Sequence, residues 1–111
     1  MKKQVLISID VEGFHNYPNA PLEVDFLKSN HRHTFKIICT YDVKDMDREK
    51  EIFIQRAEVS RYIRMKFGNP AQFKNMSCEM IAMDILNANK HDLMVCCEVW
   101  EESTGGGRVS I

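Results

Sequence analysis

Three stretches of this chain alternate apolar and polar residues with period two, and that alternation constrains the fold more than any other feature. Val5, Ile7, Ile9 and Val11 alternate with Leu6, Ser8, Asp10 and Glu12. Phe35, Ile37, Cys39, Tyr41 and Val43 alternate with Thr34, Lys36, Thr40 and Asp42, with Ile38 the exception on the outer face. Leu93, Val95, Cys97 and Val99 alternate again within 92–101. Successive side chains of a strand point to opposite faces, so each stretch reads as a strand with one buried face. Between the second and third of them the period changes. Val59, Tyr62, Ile63 and Phe67 recur at helical spacing and predict a helix over 55–67, ended by Gly68-Asn69-Pro70. Cys78, Ile81, Ala82 and Ile85 predict a second helix that Ser77 can cap and that ends over 87–90.

The segments between these elements carry turn signals. Residues 13–30 include Pro18 and Pro21 and read as a long exposed connection, 44–50 as a solvated run of mixed charge, and 51–54 as a short extended piece. Ser103-Thr104-Gly105-Gly106-Gly107 reads as a hairpin loop before a short strand over 108–111. The order strand, strand, helix, helix, strand, strand predicts an α+β fold: an antiparallel four-stranded sheet with both helices on one face. At 111 residues the chain is expected to form one domain, 1–111.

A formal net charge of −1 provides no basic footprint for nucleic acid or an anionic membrane, and no apolar run reaches spanning length. Neither nucleic acid nor a membrane is therefore expected as a partner. The two lysines after Met1 are not followed by the apolar stretch of a secretory leader. The cysteines, at 39, 78, 96 and 97, form no zinc-knuckle or disulfide spacing and read as reduced thiols of a cytoplasmic protein.

The residues suited to chemistry lie at strand ends. His31 and His33 stand two apart at the entrance to the second strand, so both imidazoles point the same way. His15 follows the first strand with the parity of Val5 to Val11 and can lean in from the paired strand. Three neutral imidazoles leave one position open for water or a substrate oxygen, as in a catalytic zinc site. The plainer alternative is three partly exposed histidines near strand ends. Glu101 shares the parity of the apolar face, and a carboxylate there can accept a pair of N–H donors from an aminopyrimidine ring; the plainer alternative is a solvated strand-end charge. Ser77 reads as a helix cap whose hydroxyl can also meet a ligand. His91, after a helix end, suits a structural role with the helix dipole.

The pattern resembles the 6-pyruvoyltetrahydropterin synthase family, which includes the bacterial 6-carboxytetrahydropterin synthases and has the tunnelling fold. The resemblance covers nearly the whole chain in element order. It rests on Phe14-His15, His31-Arg32-His33-Thr34-Phe35, Ser77-Cys78-Glu79 and Val99-Trp100-Glu101-Glu102. It implies zinc bound by His15, His31 and His33, Glu101 anchoring a pterin ring, and a homo-oligomeric barrel with sites at subunit interfaces.

Two family features are missing. No cysteine lies in Glu23–Asn30 ahead of the histidine pair, and no aspartate-histidine segment lies in Gly68–Met76. The proton-transfer residues are thus not identifiable; Asp25, Ser29 and His91 are the available substitutes, and spacing favours none of them. Two functions follow as expectations. One is a zinc-dependent lyase or isomerase acting on a dihydropterin-like substrate. The other is a non-catalytic binder that sequesters or senses a pterin-, purine- or nucleotide-like small molecule.

Overall fold

Strand β1 (Gln4–His15) and strand β2 (His31–Asp42) form an antiparallel ladder that runs from Gln4 opposite Asp42 to His15 opposite His31. The structure is a computed structural model describing residues 1–111. After β2 come helix α1 (Ile52–Phe67), strand β3 (Ala71–Lys74), helix α2 (Cys78–Asn89), strand β4 (Met94–Glu101) and strand β5 (Gly105–Ser110). Short 3₁₀ segments occupy Leu22–Lys28 and Lys90–Asp92. The α+β class agrees with the sequence pattern.

The sheet differs from the expected one in two respects. It has five strands in the order β3-β1-β2-β4-β5, and it is mixed, because β3 runs parallel to β1 while every other pair is antiparallel. The added strand is four residues long, too short for a periodic signal, although Ala71 and Phe73 are buried and Gln72 and Lys74 are not. It docks beside Gly13, where a Cβ would lie 2.9 Å from the ring of Phe73. A bare glycine is what lets the two strands close there.

Both helices pack on one face. Ile7, Ile9, Phe35, Ile37, Cys97 and Val99 from the sheet share one core with Val59 and Ile63 of α1 and Ile81, Ala82 and Ile85 of α2. Helix α1 begins at Ile52, three residues before the expected start. The Glu51 carboxylate accepts from Ile54 N and caps it, although Ile52, Phe53 and Ile54 are exposed. Gly68, at φ +90°, ends the helix and donates its N–H to the Arg64 carbonyl. Ser77 caps α2, its hydroxyl oxygen accepting from Met80 N at 3.2 Å. Asp84 of α2 holds both Tyr62 Oη and Lys66 Nζ of α1, which ties the helices together. No helix is long and apolar enough to cross a membrane.

A close backbone approach lies where α2 meets β5. A Cβ on Gly107 would fall 2.8 Å from the Glu79 nitrogen and 3.0 Å from its Cα, so the backbone of the first turn of α2 would have to move. Gly107→Ala is expected to destabilise the protein by about 1–3 kcal/mol, as overpacking does. Gly105 has nothing within 4 Å of its would-be Cβ, and Gly105→Ala is expected to change stability by less than about 0.5 kcal/mol. Urea denaturation of the two variants at unchanged m-value checks the contrast.

Candidate metal centre

The β1–β2 register places the histidines. His15 and His31 are directly opposed, His33 faces Gly13, and all three side chains leave the face that carries the core. Their ring centroids lie 4.6, 4.9 and 5.3 Å apart. One nitrogen from each ring falls within 4.8 Å of the other two. Sequence parity thus brings together the three residues it singled out. Phe35 lies beneath them, its ring edge-on to His15 and His33, and walls the cluster off from the core.

Each imidazole has its Nδ1 occupied. His15 Nδ1–H donates to the Met76 carbonyl at 3.0 Å, and His31 Nδ1–H to the Ser29 carbonyl at 2.9 Å. His33 Nδ1–H donates to the Glu102 carboxylate at 3.0 Å. With Nδ1 protonated, each neutral ring presents a bare lone pair at Nε2. The Nε2 atoms of His15 and His33 are buried without a hydrogen-bond partner. Burial pushes the His15 pKa down, against the opposing pull of the Met76 carbonyl and Glu101, which favours the neutral form. Metal-binding histidines have this arrangement: the outer nitrogen is fixed by a carbonyl or carboxylate, and the inner one is free to bind. The residues therefore fit a divalent metal of the zinc type.

Glu102 is the positioning group that sequence reasoning missed. Its carboxylate accepts from both His33 Nδ1 and Thr34 N, the latter at 2.9 Å, and its own N–H donates to the Thr34 carbonyl. Its backbone sits at φ +51°, a left-handed conformation costly for a residue with a Cβ. No periodic signal marks such a residue, because it lies in the β4–β5 turn and not on a strand face.

A cleft of about 550 Å³ opens beside the histidines. His15, His31, Glu101, Ser77 and Cys78 line it, with Gly105 and Gly106 of β5 on one side and Tyr17 and Leu27 of the β1–β2 connection on another. Glu101 and Ser77 thus join His15 and His31 at one cavity, and His33 stands outside its lining. The Ser77 oxygen is engaged as a cap, which leaves its O–H free to donate. Cys78 enters from the first turn of α2, its thiol 3.8 Å from Glu101. Burial and the neighbouring carboxylates push that thiol up to about 12, so it stays protonated near neutrality. The candidate proton-transfer substitutes do not reach the cleft lining. Asp25 pairs with Lys28, Ser29 turns its hydroxyl to the Phe26 carbonyl, and His91 is exposed in the Lys90–Asp92 segment.

No family model and no curated protein sequence matches the chain. Among solved structures, the fold is similar to the crystal structure of an uncharacterized protein, WS1659, from Wolinella succinogenes. The two are 14% identical and superpose with a TM-score of 0.74 over 99% of this chain and 98% of that one. At that identity the likeness is one of fold.

The Glu102 contacts generate a prediction about metal affinity. Glu102→Ala frees the His33 ring to turn and is expected to weaken zinc binding about 10–100-fold, the usual range for an outer partner. Competition against a chromogenic chelator measures this, and unchanged affinity would show that His33 is oriented without the carboxylate.

Proposed function

We propose that this protein holds zinc through His15, His31 and His33 and uses the adjoining cleft for a pterin-like small molecule, in a lyase or isomerase reaction of the 6-pyruvoyltetrahydropterin synthase type. The observation that carries the reading is the convergence of three imidazoles, one nitrogen of each within 4.8 Å of the other two, on rings whose Nδ1 atoms are anchored. When bound, the metal supplies a Lewis acid that polarises a hydroxyl or carbonyl oxygen and eases proton loss from the adjacent carbon. The chain's own residues do the rest. Glu101, at the cleft wall, is suited to accept the paired N–H donors of an aminopyrimidine edge, and Ser77 O–H to donate to a ring or side-chain acceptor. Phe35 seals the base of the histidine cluster.

A second reading has its own support. The cleft presents no thiolate, since Cys78 stays protonated, and no histidine besides the two of the cluster that line it. With Glu101 engaged by the ring edge, Glu79 is the other carboxylate in the lining, and a site so sparsely supplied suits a protein that binds a pterin- or purine-like molecule and keeps it.

The assembly proposed with either reading is a homo-oligomer that completes the cleft. β1 meets β3 only over Gly13–His15, which leaves Gln4–Glu12 open on that edge apart from the Ser8 carbonyl, which accepts from Arg56 Nε. β5 is the open strand at the sheet's other edge. Unpaired edges at both ends invite edge-to-edge pairing between copies. In the 3₁₀ segment that brings Leu27 to the cleft, Leu22 and Phe26 are 87% and 72% exposed, as residues of an interface are before assembly.

Metal per chain in purified wild type and His33→Ala is the first measurement. About one zinc per wild-type chain and none in the variant is the expected result, and no metal in either after zinc is supplied would remove the reading. The zinc protein is then offered a dihydropterin triphosphate: multiple turnovers with phosphate release favour the enzyme, and one retained molecule per site favours the binder. Light scattering at micromolar concentration is expected to report an oligomer, and a monomer would count against a site shared between subunits.

A further inference from the structure

We propose that Glu101 is itself a ligand of the metal, so that the centre is three histidines and one carboxylate until an incoming molecule claims that carboxylate. The proposal rests on the metal reading above and gives Glu101 a role that the resemblance does not.

Glu101 is the last residue of β4 and stands opposite Phe35, which puts its side chain on the face of the histidines. Its Oε1 lies 3.0 Å from His15 Nε2 and its Oε2 lies 3.6 Å from His33 Nε2. Ligand atoms bound at 2.0–2.1 Å around a tetrahedral ion lie about 3.3 Å from one another. The two observed separations straddle that spacing, so the carboxylate already sits at ligand distance from two of the three histidines.

Electrostatics point the same way. On neutral rings whose Nδ1 protons go to Met76 and Glu102, the Nε2 atoms that face Glu101 are acceptors. An acceptor nitrogen against a carboxylate oxygen is repulsive, and twice so here. One divalent cation between them turns both contacts from repulsive to attractive.

The freedom of this carboxylate distinguishes it from its neighbour. Glu102 is fixed by two hydrogen bonds, from His33 and Thr34. Glu101 has no lysine or arginine partner, and besides the histidines it touches only the weak Cys78 thiol. It is about one-third exposed and opens onto the cleft. The same two oxygens cannot bind a metal and a pair of ring N–H donors at once. A ligand carrying such an edge therefore draws Glu101 away and in the same motion frees a coordination position for its own oxygen. The centre becomes a Lewis acid towards the molecule that displaced the carboxylate and stays closed to others.

Cobalt(II) substitution of the full chain tests this, because the visible absorption of cobalt is intense in four-coordinate sites and weakens as water is added. Glu101→Gln keeps the size of the side chain and removes its charge. It is expected to retain one cobalt per chain, to bind it at least about 10-fold more weakly, and to lose intensity or shift its band. Glu101→Asp, which keeps the charge and shortens the reach, is expected to fall between the two and serves as the comparison if the glutamine variant does not fold. The proposal is overturned if Glu101→Gln matches wild type in affinity and spectrum while His33→Ala loses the metal; the histidine site then stands with Glu101 outside it. If wild type binds neither cobalt nor zinc, the metal reading fails, and this proposal with it.

Discussion

The β1–β2 ladder fixes everything that follows in this molecule. The side-chain period of a strand is two, so a slip of one residue between β1 and β2 would send Ile37 and Phe35 to solvent and the histidines with them. The register that buries Ile7 against the core is therefore the register that sets His15 opposite His31. The core and the histidine cluster are two ends of one ladder, and the hydrophobic effect that secures the first positions the second. The centre needs no dedicated element of its own. It takes the terminal residues of β1 and β2, the end of β4 and the entrance to α2.

The polar groups at that end are arranged at some cost to folding. Two imidazole nitrogens are buried without a hydrogen-bond partner, and Glu102 holds a left-handed backbone. Each is a local departure from what stability alone would select, and such departures concentrate where a protein does something. Replacing the cluster with apolar side chains would extend the core that Phe35 already begins. The outer nitrogens, by contrast, are fully satisfied, so the penalty falls on the atoms that point inward. A uniformly frustrated cluster would suggest poor packing; one that is satisfied outside and bare inside could hold a metal ion.

The sequence is informative wherever a period exists. Parity alone put His31 and His33 on one face, aligned His15 with Val5 to Val11, and aligned Glu101 with Val99, and all four meet. The cap at Ser77 and the stop at Gly68 were also legible, because capping chemistry is local. What was not legible depends on long-range docking or turn geometry. Ala71–Lys74 becomes a strand only because the edge at Gly13 accepts Phe73. Ile52-Phe53-Ile54 reads as extended by composition, yet Glu51 caps it into a helix with those side chains left outside. Glu102 lies in a turn where no pattern reaches it. Cys78 adjoins the expected cap, but its approach to Glu101 depends on how α2 crosses the end of β4.

Adjacent glutamates with different partners set the two sides of the histidine cluster apart. Chain direction reverses at Glu102, so Glu101 and Glu102 present their carboxylates to opposite sides of the same His33 ring, one towards Nε2 and one on Nδ1. The Nδ1 side is pinned by the Thr34 amide, and the Nε2 side is not. A metal centre needs both properties. A ring free to rotate loses affinity, while a coordination sphere that cannot open admits no substrate. The turn between β4 and β5 separates the two demands by one residue. It fixes the His33 ring with a strained, doubly bonded glutamate and leaves Glu101, the exchangeable group of the proposed centre, at the strand end facing the cleft. The same physical arrangement suits turnover and tight retention equally. The difference between them lies in whether a proton acceptor reaches the bound molecule, and the nearest open edges through which another subunit could bring one are β1 and β5.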